Sequence, residues 1–148
     1  MSRSCDGCTE CCQGHLRCTV LGRELTRGSP CHYVGKTGCT VYEARPVSPC
    51  QTYKCVWLMN DDLPLWMKPE HSGVIVTKRP YGNEGKWFWD VIETRGTMST
   101  KVLRWLMIQH INHRLPMRIQ IEGGQNLFGS AEFIAACQDR NDQPALSQ

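Results

Sequence analysis

The chain has 148 residues, the size of one domain or of a small module fused to a larger one. A formal charge of +3 is too mild to imply nucleic acid or membrane, and thiolates gripping a metal would remove part of that apparent basicity. The best apolar stretch, 102–111, is broken by Arg104, Gln109 and His110, so no membrane span is expected.

All but one of the ten cysteines lie between Cys5 and Cys55. The opening stretch, MSRSCDGCTE, lacks the apolar run of a secretory signal, which points to a cytoplasmic protein. Structural disulfides are rare in that compartment, so clustered cysteines read as metal ligands or redox groups. CDGCTECC, at 5–12, repeats the C-x2-C spacing through Cys5, Cys8 and Cys11. Two intervening residues make a turn that swings both sulfurs to one side, as in the runs that ligate iron–sulfur cubanes. Cys12 adds a constraint. Neighbouring side chains of an extended segment point to opposite faces, so either two sites adjoin here or one of Cys11 and Cys12 is structural.

Residues 1–55 hold no Trp, Phe or Ile, and their large apolar side chains are few: Leu16, Val20, Leu21, Leu25, Tyr33, Val34, Val41, Tyr42, Val47 and Tyr53. Such a segment buries too little surface to offset its ordering entropy, so it requires a staple. Cys31, Cys39, Cys50 and Cys55, in PCHYVGKTGCTVYEARPVSPCQTYKC, are the distant ligands that would close sites opened by the first cluster. Zinc suits closed tetrahedra of four thiolates, whereas the repeated x2 spacing leans toward iron–sulfur. Cys18 stands between a further ligand and a resolving thiol. His15 and His32 lie near cysteines but are not required as ligands.

These residues resemble the CxxCxxCC, or YkgJ-type, cysteine-cluster family, described as zinc- or iron-chelating. The likeness rests on Cys5-x2-Cys8-x2-Cys11-Cys12, Pro30-Cys31, and Gly38-Cys39-x2-Tyr42-x2-Arg45-Pro46-x3-Cys50-x2-Tyr53-x-Cys55, and covers the first third of the chain. It implies that Cys5, Cys8, Cys11, Cys12, Cys31, Cys39, Cys50 and Cys55 bind the metal. Cys18 departs from the pattern, which more often has an apolar residue there. A similar cluster occurs in flagellin lysine methylases, but this chain is short for such an enzyme.

Beyond Val56 the composition is conventional. The segment 57–70, WLMNDDLPLWMKPE, places Trp57, Leu58, Met59, Leu63, Leu65, Trp66 and Met67 around Asp61-Asp62 and ends at Glu70. It reads as a docking segment between the two halves, or as an exposed patch for a protein partner. GVIVTKR (73–79) and WFWDVIET (87–94), separated by PYGNEGK, predict an antiparallel hairpin. Ser99 or Thr100 caps a helix carrying Leu103, Leu106, Met107, His110 and Ile111 and ending near Arg114. His110 and His113 read as helix surface. MRIQIE (117–122) alternates as a half-buried strand closed by Gly123-Gly124, and Ser130 caps a last helix in which Cys137 packs into the core.

The expected fold is α+β: a loop-rich, metal-stapled cysteine module followed by a small antiparallel-type sheet with helices in β-β-α-β-α order. The corresponding units are a module at 1–56, a docking segment at 57–72, an α+β domain at 73–140 and a disordered tail at 141–148. No serine–histidine–aspartate arrangement, phosphate loop or dinucleotide fingerprint is present. The leading function is a metal-chelating accessory protein, holding a 4Fe-4S iron–sulfur cluster or Zn2+ and serving electron transfer or metal or redox sensing. Two alternatives stand beside it. One is a redox or group-transfer enzyme using the centre beside a carboxy-terminal pocket. The other is a single-stranded nucleic-acid module using Trp57, Trp66, Trp87, Trp89 and Trp105 beside Lys86 and Arg104. Whether the chain is an enzyme is left open.

Overall fold

The computed structural model describes residues 3–5, 8–26 and 28–138, so the expected tail at 141–148 lies outside the described residues. The amino-terminal third is built of turns and very short strands. The amide of Cys8 donates to the carbonyl of Cys5 (2.8 Å), closing the turn that the C-x2-C spacing predicts. A 3-10 turn over Glu10–Cys12 follows. Strands β1 (Cys18–Val20) and β2 (Arg23–Leu25) form an antiparallel hairpin. Its turn residues Leu21 and Gly22 both have positive φ, 48° and 77°, the pattern of the tight turn that matches strand twist. Strand β1 alternates, so Cys18 and Val20 are buried and Thr19 is exposed. A smaller hairpin, β3 (Val34–Gly35) with β4 (Gly38–Cys39), sets Val34 opposite Cys39. The chain then turns through Tyr42–Ala44 and Val47–Gln51, the latter containing a cis Ser48–Pro49 peptide.

The short helix α1 (Val56–Met59), a 3-10 turn at Leu65–Met67 and α2 (Pro69–Ser72) lead into the sheet. Strands β5 (Val74–Tyr81) and β6 (Lys86–Glu93) form the predicted antiparallel hairpin, with Val76 opposite Val91. Helix α3 (Thr100–His113) starts where Ser99 Oγ accepts from the amide of Val102 (3.2 Å), as the capping pattern predicts. Strand β7 (Met117–Ile121), strand β8 (Gly124–Phe128) and helix α4 (Ala131–Gln138) complete the described residues.

The combination of helices and strands agrees with the α+β expectation, but two features of the sheet correct it. The order is β-β-α-β-β-α, because β8 pairs antiparallel with β7 where the sequence reading places only a terminating glycine turn. GQNLF hides its strand character behind polar residues because it is an edge strand, exposed along its first half. The sheet is also mixed. Strand β7 runs parallel to β6, Trp89 pairing with Met117 and Ile92 with Gln120, since α3 carries the chain back across the sheet before β7 begins.

The four-stranded sheet, ordered β5-β6-β7-β8, is covered on both faces. On one face Val74, Val76, Val91, Met117 and Ile119 pack with Val102 and Leu106 of α3 and with Trp57, Leu63 and Met67. These apolar members of the docking segment thus enter the core, while Leu65 (75%) and Met59 (52%) are exposed. On the opposite face Ile75 and Ile92 pack against Leu16, Cys18, Val20 and Leu25 of the cysteine module. Farther along that face, Tyr81 and Phe88 pack with Phe133 and Cys137 of α4. The few apolar residues of the first third therefore find part of their burial against the sheet.

Candidate metal centre

The backbone gathers the two cysteine runs. The amide of Cys31 donates to the carbonyl of Cys12 (2.7 Å), and that of Gly28 to the carbonyl of Gly14 (2.7 Å). The β3–β4 hairpin turns Cys39 back toward Cys31, whose carbonyl accepts from Val34 (3.1 Å). Cys55 sits at the start of α1, its carbonyl accepting from Leu58 and Met59 (3.0 and 3.2 Å). Cys11, Cys31, Cys50 and Cys55 are half-buried around the core formed by Leu16, Cys18, Ile75 and Ile92. Every cysteine is a free thiol.

Electrostatic neighbourhoods divide the thiols. Burial pushes Cys55 up, and charges at Cys5 and Cys8 add to that. Cys11 is raised by donating its thiol hydrogen bond to Cys12, by burial, and by Cys5 and Cys8. Cys5, Cys8, Cys11 and Cys55 therefore form one neighbourhood. Cys50 is raised by burial and by Cys12, Cys31 and Cys39, which defines the second. Cys18, pushed up to about 11 by burial and then by Cys50, Cys31 and Cys12, borders the second group. Cys12 goes the other way. The hydrogen bond from Cys11 lowers it to about 7, with help from the charge of Arg45 and against its burial. Because Cys11 and Cys12 lie in a 3-10 turn, their sulfurs are close enough to bond, unlike the opposed faces of an extended segment.

As placed, no three Cys, His, Asp or Glu side chains among the described residues are grouped so as to hold an ion. The fit to a metal therefore rests on the donor chemistry, since the soft thiols of each neighbourhood suit zinc and iron–sulfur clusters alike. His15 lies 3.8 Å from Glu10, and His32 stacks edge-on against Tyr33. Cys137, on α4, is buried in the aromatic core, a cluster separate from both groups.

Several residues that no spacing rule singles out surround the cysteines. Arg3 donates Nη1 to the carbonyls of Trp57 and Asn60 (2.9 and 3.0 Å), and Nη2 to those of Asp61 and Leu63 (2.8 and 2.5 Å). Its guanidinium also lies over the Trp57 ring at 4.6 Å, which pins the segment bearing Cys5 beside the helix that follows Cys55. Lys68 is raised chiefly by its contact with Glu70 (2.5 Å), with smaller contributions from Cys8 and Cys5. Arg45 stacks on Tyr42 at 3.7 Å and donates Nε to its carbonyl (2.9 Å). Tyr53 Oη and Thr77 Oγ1 share a hydrogen bond (2.8 Å) that joins the module to β5. The Arg3 and Tyr53 contacts are long-range pairings, which a single sequence does not display, whereas Tyr42–Arg45 and Lys68–Glu70 are local.

The aromatic residues mostly serve packing. Trp89 stacks on Trp105 at 6.1 Å, and Trp66 meets Trp105 edge-on. Trp87 is 47% exposed, with Lys78 Nζ 4.9 Å from its ring. His110 Nδ1 bonds the carbonyl of Leu115 (2.7 Å), holding the end of α3. An open cleft of about 420 Å³ is lined by Tyr81, His110, Ile111, Arg114 and Ser130 among others. It lies at the Tyr81 end of β5, whereas the cysteine module packs at Ile75, roughly 20 Å along the strand at about 3.3 Å per residue. No helix among the described residues is long and apolar enough to cross a membrane. Comparison of the chain with protein-family models, with curated proteins and with solved structures gives no match in any of the three.

Proposed function

We propose that this protein chelates metal through its amino-terminal thiols, in two adjoining sets: Cys5, Cys8, Cys11 and Cys55, and Cys12, Cys31, Cys39 and Cys50. What supports the reading is that backbone bonds tie Cys31 to Cys12 and Gly28 to Gly14, so that thiols from separate turns act on one another in two sets that meet at Cys11 and Cys12, though none is closed around an ion among the described residues. Four thiolates are a complete set for zinc and equally for a 4Fe-4S cluster, and the adjacent pair is accounted for when one sulfur serves each set. The CxxCxxCC resemblance names the same residues. Bound metal would staple a region whose own core is small. In iron–sulfur form it would also carry electrons, which fits an accessory protein of electron transfer or redox sensing. A catalytic role would need an open coordination position facing a substrate cleft.

The test is anaerobic purification followed by elemental and acid-labile sulfide analysis. Zinc at about two per chain without sulfide is the outcome expected of two closed tetrahedra, and iron matched by sulfide is that expected of clusters. Protein that takes up neither metal when all its thiols are reduced would overturn the proposal.

A further inference from the structure

The cleft of about 420 Å³ at the Tyr81 end of β5 is walled on one side by the end of α3 and on the other by the entry to α4. That volume suits a small organic molecule. Helix α3 stops at Arg114, which takes the left-handed conformation (φ 49°), and the chain turns through Leu115-Pro116 into β7. Two bonds lock the turn: His110 Nδ1 meets the Leu115 carbonyl (2.7 Å), and the Leu115 amide donates to the His110 carbonyl (3.2 Å). The turn brings Ile111, Arg114 and Pro116 to the cleft. Arg114 is exposed, and its guanidinium has no hydrogen bond or ion pair among the described residues.

On the other side, β8 gives way to Gly129-Ser130 and then to α4. Ser130 Oγ accepts from the amide of Phe133 (3.2 Å), which satisfies one of the first donors of the helix. The amides of Ala131 and Glu132 precede the first intrahelical acceptor, so they stay donors at the positive end of the helix dipole. The Glu132 carboxylate is engaged by Lys86 (2.8 Å). Tyr81 supplies the observation that points to a ligand. It is 7% exposed, its ring packed against Phe133 (5.2 Å) and Phe88 (6.1 Å). Its hydroxyl has no hydrogen-bond partner among the described residues, yet it is not one of the fully enclosed side-chain atoms left unpaired, which belong to Ser48, Arg79 and Thr94. The phenol oxygen of this buried side chain therefore opens on the cleft that Tyr81 lines. A polar tip on an otherwise buried ring is favourable only where something in the cavity bonds it.

We propose that this cleft binds the anionic head, carboxylate or phosphate, of a small organic molecule. Tyr81 Oη, the first amides of α4 and the Arg114 guanidinium supply the donors, while Ile111, 71% exposed, and Pro116 meet the ligand's apolar body. A phenol, free amides and a guanidinium all donate, and the carboxylate in the first turn of α4 is already matched by a lysine, so a negative partner is favoured over a cation. The site stands apart from the thiols, since no cysteine lines it. Its occupancy does not depend on bound metal.

Phenyl phosphate and benzoate serve as probes, with benzyl alcohol as the uncharged control. Each is titrated into the full, isotope-labelled chain while amide resonances are followed by nuclear magnetic resonance. Saturable shifts at Ile111, Gly129 and Ser130 with at least one anion are expected, and the tighter anion identifies the head group. Benzyl alcohol is expected to produce none. Tyr81→Phe keeps the ring packing and removes only the oxygen, and about tenfold weaker binding of the tighter anion is expected, the size of a lost bond to a charged group. Arg114→Asn removes the charge with a residue that tolerates left-handed backbone, and about fivefold weaker binding is expected, because solvent screens an exposed charge. No saturable shift at these amides with either anion, benzyl alcohol binding as tightly as the anions, or parent-like affinity in either variant would overturn the proposal. Should one variant fail to fold, as judged by tryptophan fluorescence, the other decides.

Discussion

Cys11 and Cys12 are neighbours in sequence with opposite acidities, and one hydrogen bond accounts for most of the difference. Cys11 donates, so it is held as a thiol; Cys12 accepts, so its thiolate is stabilised, with Arg45 adding to the effect. A thiol lowered to about 7 is substantially thiolate at neutral pH, whereas Cys18, at about 11, is almost wholly protonated. Brief treatment of the metal-free protein with iodoacetamide at neutral pH should therefore label Cys12 well ahead of Cys18, as read by peptide mass mapping. Labelling of Cys18 first would mean that the Cys11–Cys12 bond does not form in solution. The spacing of these cysteines is plain in the sequence, but their division of labour is not. A proton's position depends on burial and on charges that Arg45, Cys31 and Cys50 bring from elsewhere in the chain. Arg3 is equally silent, since an arginine before the first cysteine matches no periodicity, yet it ties down four carbonyls.

At the scale of elements, periodicity succeeds where neighbours in sequence are neighbours in space. The β5–β6 hairpin follows from β-branched runs flanking a glycine-bearing turn, and α3 from apolar spacing behind a serine cap. Periodicity fails for β8, whose outward residues are polar, and for the parallel pairing of β6 with β7, which no local pattern encodes. The module hairpin β1–β2 shows the same limit, because its turn places a leucine at positive φ beside Gly22. Gly14 is the element-scale weak point. Its φ is +92°, and a Cβ there would lie 2.9 Å from both the carbonyl carbon and the nitrogen of Ser29, which are backbone atoms that cannot swing aside. Gly14→Ala should therefore loosen the join between the two cysteine runs and cost about 2 kcal/mol in urea unfolding, with weaker metal retention. An unchanged unfolding midpoint would mean that the two runs are not held at Gly14.

Across the whole molecule, the sheet is clamped on one face by α3 and the docking residues and on the other by the cysteine module and α4. A module held by metal alone would unfold over residues 1–55 on metal loss and largely spare the sheet. The shared core formed by Leu16, Val20, Leu25, Ile75 and Ile92 changes that expectation, since loosening the module uncovers Ile75 and Ile92. Chelator treatment of loaded protein, or Cys39→Ser, should increase amide exchange first in β1 to β4 and then at the Ile75 end of β5 and the Ile92 end of β6. Exchange confined to residues 1–55, with β5 and β6 untouched, would show that the module is dispensable to the sheet.

Composition alone establishes that the first third is poor in large apolar side chains and rich in thiols, and spacing alone establishes the C-x2-C turn, the β5–β6 hairpin and α3. These are local properties, set by the chain's own steric preferences over a few residues. Tertiary structure decides which thiols keep company, that Cys11 shields its proton with Cys12, and that Tyr53 reaches across to Thr77. Each of these depends on strand register and on distant segments meeting across a low-dielectric interior, where an unpaired charge matters far more than it does in water.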